Sequence, residues 1–71
     1  MKKINDIHLT VKELEVLQLL ALGHSNKEIA HKMNYSVHSV KTYLESVYRK
    51  FDVHNKIQAL VKAVQLGFIE I

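Results

Sequence analysis

The chain has no cysteine and no proline, and among its 71 residues only two glycines, three tyrosines and two phenylalanines. Lack of cysteine excludes a disulfide framework, a thiolate metal site and a cysteine nucleophile. Lack of proline means that nothing forces a break inside a helix. The sequence offers no nucleophile elbow, phosphate loop or glycine-rich turn, so no enzymatic activity is expected. Its most apolar run, "VLQLLAL", is far short of the about 20 residues that span a bilayer. The opening "MKKINDIHL" is interrupted by Asn5, Asp6 and His8 and does not read as a secretory signal. No repeat, low-complexity tract or internal linker is evident. The expectation is a soluble, cytoplasmic protein with no membrane partner.

What remains is a helical composition. Hydrophobic residues make up 48% and charged residues 24% of the chain. At this length a single core is barely sufficient, so stability must come from helix packing or from a second chain. The net charge of +3 suits a polyanion partner.

The punctuation predicts four helices and an all-α domain. Thr10 with Glu13 forms a capping box, and Leu9 precedes it as a hydrophobic staple. That helix spans 11–22 and ends at Gly23, suited to a left-handed position. Ser25 with Glu28 is a second capping box opening a helix over 26–33, which Asn34 can terminate. Ser36 caps a third helix over 37–51. After a break at "DVH", Asn55 caps a fourth over 56–66, before Gly67. No alternating run reads as a strand. Residues 1–8 form an N-terminal arm and 9–71 the domain. Only about three residues join the second and third helices, too few for an antiparallel hairpin, so a helix-turn-helix over about 26–45 is expected, with Ala30 and Val40 in contact.

The third helix, within "SVHSVKTYLESVYRKF", has two faces. Val37, Val40, Leu44, Val47, Tyr48 and Phe51 share an arc of about 100° and form the core side. His38, Lys41, Thr42, Glu45 and Arg49 cluster opposite, where one DNA major groove could receive them all. Arg and Lys donate to guanine, Thr meets a thymine methyl, and Glu accepts from a cytosine amino group. Ser39 and Tyr43 on the flank, and Lys50, are candidates for phosphate contact. So are Ser25, Asn26 and Lys27, which surround the free amides at the start of the second helix. From Ser25 to Lys56 there are six basic residues (27, 32, 41, 49, 50, 56) against three acidic (28, 45, 52). The alternative is a solvated face whose Lys41 and Glu45 form a local ion pair.

These residues carry a family resemblance. The motifs "LT..E.EVL.L.A.G", "SNKEIA", "SVK" with Tyr43 two residues on, "KF.V.NK..A" and the closing "GFI" together resemble the DNA-binding domain of LuxR/GerE-type transcriptional regulators. The resemblance covers about Leu9 to Ile69. It implies a four-helix domain whose third helix reads the major groove and whose fourth often forms a dimer interface. By position it assigns phosphate contact to Ser25, Asn26 and Lys27, and groove-facing places to Ser39, Lys41, Thr42 and Glu45. Glu45 departs from the pattern, since many relatives carry a neutral or basic residue there. Altered base preference, an ion pair with Lys41, or weakened DNA binding are the three readings. The ending is similar to regulators that sense acyl-homoserine lactones, but their sensor domain is not in this sequence, so no small-molecule ligand is expected.

On the fourth helix, apolar residues cover about 220° of the circumference, more than a small core requires. Ala59, Leu60 and Ala63 are expected inside, leaving Ile57, Val61 and Val64 for an isologous homodimer. The alternative is a terminal helix covered by Ile69 and Ile71. A dimer would present two reading helices to an inverted-repeat site, one DNA turn apart. Val11, Leu14 and Leu22 form a further stripe on the first helix, which could meet RNA polymerase or another regulatory protein. His24, His31 and His38 recur every seventh residue, but caps and a turn separate them, so neither metal nor cofactor is expected. The rival to a DNA-binding regulator is an antagonist that pairs with a full-length family member and blocks it.

Overall fold

A computed structural model of the chain describes residues 7–70, which form four helices and no strand. Helix α1 is Val11–Ala21, α2 Asn26–Met33, α3 Val37–Phe51 and α4 Lys56–Gln65. Leu22 and Leu66, expected inside helices, stand at their C-caps instead. The expected arm over 1–8 lies outside the described residues except for Ile7 and His8. No described helix is long and apolar enough to cross a membrane.

Each start is built as its residues require. Thr10 Oγ1 accepts from the Glu13 amide at 3.1 Å, and Glu13 Oε1 accepts from the Thr10 amide at 2.9 Å. Ser25 and Glu28 close the same reciprocal pair. Ser36 and Asn55 cap α3 and α4 through side-chain oxygens. The ends share one device. An amide just past each helix bonds a carbonyl five residues back: His24 to Leu19, Tyr35 to Ala30, Val53 to Tyr48 and Phe68 to Ala63. This closure needs a left-handed residue before it. Gly23 and Gly67 take that place freely, while Asn34 (φ 59°) and Asp52 (φ 58°) take it as non-glycine residues.

The core divides along α3. One cluster joins Val16 and Leu20 of α1, Ile29 and Ala30 of α2, and Val40 and Leu44 of α3. Ala30 and Val40, expected to meet, are both buried in it. The other joins Leu17, Val47, Phe51, Ala59, Ala63 and Ile69. Phe68 stacks on Phe51 with ring centroids 5.8 Å apart, so the residues after α4 close this end. Helix α3 is gripped along one side by α1, α2 and α4, which leaves its other side open.

Candidate nucleic-acid interface

The open side of α3 carries the row read from the sequence. His38, Lys41, Thr42, Glu45 and Arg49 are all exposed. Val40, Leu44, Val47 and Phe51 are buried on the opposite side. Apart from Thr42, whose hydroxyl donates to the His38 carbonyl at 3.0 Å, no side chain of the row is bonded within the described chain. With its hydroxyl bonded to the backbone, the apolar part of Thr42 is its methyl, the group that suits a thymine methyl.

Lys41 and Glu45 do not form the expected ion pair. They are one turn apart, yet neither has an ion-pair partner among the described residues. Such a pair between exposed chains gains little over solvation. Both instead line a shallow concavity with Asn26, Leu44 and Tyr48. The first turn of α2 is thereby placed beside the reading row.

That first turn is disposed as an anion site would require. Ser25 caps it, Asn26 is half-buried and Lys27 is exposed, and the amides of Asn26 and Lys27 have no acceptor one turn back. Glu28 at the same end is held below the usual carboxylate range, first by the Ser25 amide and then by His24, whose Nδ1 is 3.6 Å from Oε1. A groove at this end is lined by His24, Ser25, Asn26, Lys27, Val37, Tyr48 and Lys56. Lys56, the first residue of α4, thus faces the start of α2. Sequence reasoning counted Lys56 as a charge but gave it no role, because only the packing of α4 brings it there.

On the other flank of α3, Ser39 is half-buried and its hydroxyl is 3.0 Å from that of Ser36. Tyr43 packs 5.7 Å from Tyr35, and the Lys12 ammonium lies 5.2 Å above the Tyr35 ring. Lys50 points elsewhere. Its ammonium donates to Glu13 Oε1 at 2.7 Å and to the His8 carbonyl at 3.0 Å, tying α3 to α1 rather than facing outward with Arg49. Ser46 donates to the other Glu13 oxygen.

On α4, Ala59 and Ala63 are fully buried and Leu60 is half-buried. Ile69 closes the core as a lid, and Ile71, the other expected lid, lies outside the described residues; Ile57, Val61 and Val64 remain 70%, 52% and 40% exposed. Val11 and the C-cap Leu22 are also exposed, whereas Leu14, expected in the same stripe, is half-buried.

Comparison with known proteins agrees with this architecture. Residues 8–63 match the GerE model of bacterial regulatory proteins, luxR family. The chain is 42% identical over 59 residues to the HTH-type transcriptional activator RamA of Corynebacterium glutamicum, covering 83% of this chain and 21% of RamA. It is 36% identical over 72 positions to the response regulator VraR of Staphylococcus aureus, covering 99% of this chain and 34% of VraR. The structure of the transcription factor GerE superposes with a TM-score of 0.83 at 29% identity, over 87% of this chain and 92% of GerE. The chain spans between a fifth and about a third of the length of the curated relatives it matches. With four helices, a helix-turn-helix at α2–α3 and this match over most of its length, the chain belongs to the LuxR family of bacterial regulatory proteins, which are DNA-binding transcriptional regulators and not enzymes.

Proposed function

We propose that this domain binds double-stranded DNA with sequence specificity, laying α3 in the major groove. The observation that carries the reading is the exposed row His38, Lys41, Thr42, Glu45 and Arg49, left open on a helix whose other side is packed. Lys41 and Arg49 donate to base acceptors, Thr42 offers a methyl, and Glu45 accepts. Ser25, Asn26 and Lys27, joined by Lys56, take phosphates on one flank, and Ser39 and Tyr43 on the other. A related complex supports DNA binding: Vibrio cholerae VqmA, solved with ligand and DNA, superposes with a TM-score of 0.85 at 34% identity, over 90% of this chain and 28% of VqmA.

Two copies pair through Ile57, Val61 and Val64, presenting two α3 helices to an inverted-repeat site. The place of action is the cytoplasm, on the nucleoid when bound. The exposed ends of α1, Val11 and Leu22, are the surface available to RNA polymerase.

One observation favours a second reading. The exposed apolar face of α4 would equally pair with a full-length relative, and Glu45 opposes DNA, so the chain would then act as an antagonist. Titration with duplex DNA at several salt concentrations separates the two. Direct binding predicts an affinity that falls steeply with salt. Negligible binding at low salt, with a mixed dimer formed with a full-length regulator, would establish the antagonist.

A further inference from the structure

Glu45 is exposed on the reading row and has no ion-pair or hydrogen-bond partner among the described residues. Its carboxylate offers acceptors only. Phosphate oxygens repel it, as do guanine N7 and O6, adenine N7 and thymine O4. The donors on the floor of the major groove are two amino groups, cytosine N4 and adenine N6. A carboxylate placed there is favourable over one of these and costly elsewhere. Lys41 has the converse demand, for a base acceptor.

Four residues of helix separate the two by about 6 Å along the axis. That exceeds the spacing of about 3.4 Å between neighbouring base pairs, so the two side chains need not share one base pair. Since Lys41 and Glu45 are not joined to each other, each is free to meet its own base.

An exocyclic amino group has two hydrogens. One lies in the base pair and the other faces the groove. A methyl group on that nitrogen replaces the groove-facing hydrogen and sets apolar bulk against the carboxylate. We propose that Glu45 makes this domain a reader of amino-group methylation, binding its site when the base beneath Glu45 is unmethylated and releasing it when that base is N4-methylcytosine or N6-methyladenine. The inference concerns recognition of the mark, and it rests on the DNA-binding reading above.

The test has two stages. Duplexes are selected from a random pool with the parent and with Glu45→Ala, and the position whose preference relaxes in the variant locates the contact. Matched duplexes are then titrated with the base at that position unmodified, methylated on its amino nitrogen, or, for cytosine, methylated on C5, which leaves the amino hydrogen in place. Amino methylation should weaken the parent about tenfold or more, and Glu45→Ala much less; C5 methylation should not reproduce the loss. Equal losses in both proteins would mean that the mark acts through duplex shape, overturning the proposal. So would an unchanged parent affinity. If no position responds to Glu45→Ala, the proposal fails while DNA binding stands. If no duplex binds at low salt, the DNA-binding reading fails as well.

Discussion

The ammonium of Lys50, in the last turn of α3, stands 2.7 Å from a carboxylate oxygen of Glu13, in the first turn of α1. Glu13 is only 4% exposed, yet both its oxygens are bonded: one to Lys50 and the Thr10 amide, the other to the Ser46 hydroxyl. One carboxylate therefore closes the cap of α1 and holds α3 against it. Burial by itself would push this carboxyl up. The Lys50 ammonium, the Ser46 hydroxyl and the Thr10 amide outweigh it and hold the pKa at about 2.

Stability should follow that titration. The contribution of ionised Glu13 is complete above its ordinary value of 4.5 and is lost as pH falls toward about 2. It amounts to about 3 kcal/mol. Glu13→Gln should lower Tm at pH 7 and flatten the decline between pH 4.5 and 2, read by thermal melts across that range. An unchanged acid limb would show that the network contributes nothing.

Lys27 and Lys50 should behave differently although both are exposed lysines. Lys27→Ala should weaken binding to all duplexes alike and reduce the slope of log affinity against log salt by about 0.9. Lys50→Ala should lower Tm and leave that slope nearly unchanged, because its ammonium is engaged by Glu13. Titrations at four or five salt concentrations, paired with melts, check both.

Glu45→Ala should raise affinity for random duplex DNA by removing a repulsive charge, while relaxing discrimination at one base pair. Binding measured over a site library reports both quantities. If neither moves, Glu45 is not in the interface.

Val61→Glu should abolish self-association while leaving the monomer folded, since Val61 is 52% exposed and outside both core clusters. Sedimentation of parent and variant at high concentration decides it. Equal masses would remove α4 as a dimer surface.

Asn34→Ala should cost about 1 kcal/mol, because the left-handed backbone at this turn is strained for a residue with an ordinary Cβ. Asn34→Gly should be tolerated, and denaturant melts of the two variants separate backbone strain from side-chain loss.

Much of the architecture is local and was legible. Thr10–Glu13 and Ser25–Glu28 mark helix starts because a capping box involves residues three apart. The α3 faces follow from helical periodicity, except that Val37, expected on the core side, is 41% exposed in the first turn, and Ile57, Val61 and Val64 follow from an apolar arc wider than the core needs. Asp52 was less legible. The break after Phe51 was expected, but aspartate signals a left-handed end less clearly than Gly23 or Asn34 does.

The sequence by itself determined four helices, their stops, and which side chains share the open face of α3, because caps and periodicity act within a turn or two of chain. Tertiary packing alone decided that Lys50 joins Glu13, 37 residues away, and that Lys56 comes to the start of α2. Those partnerships depend on which helix faces meet, and the buried contacts of Val16, Ile29, Val40, Val47 and Ala59 set that arrangement collectively.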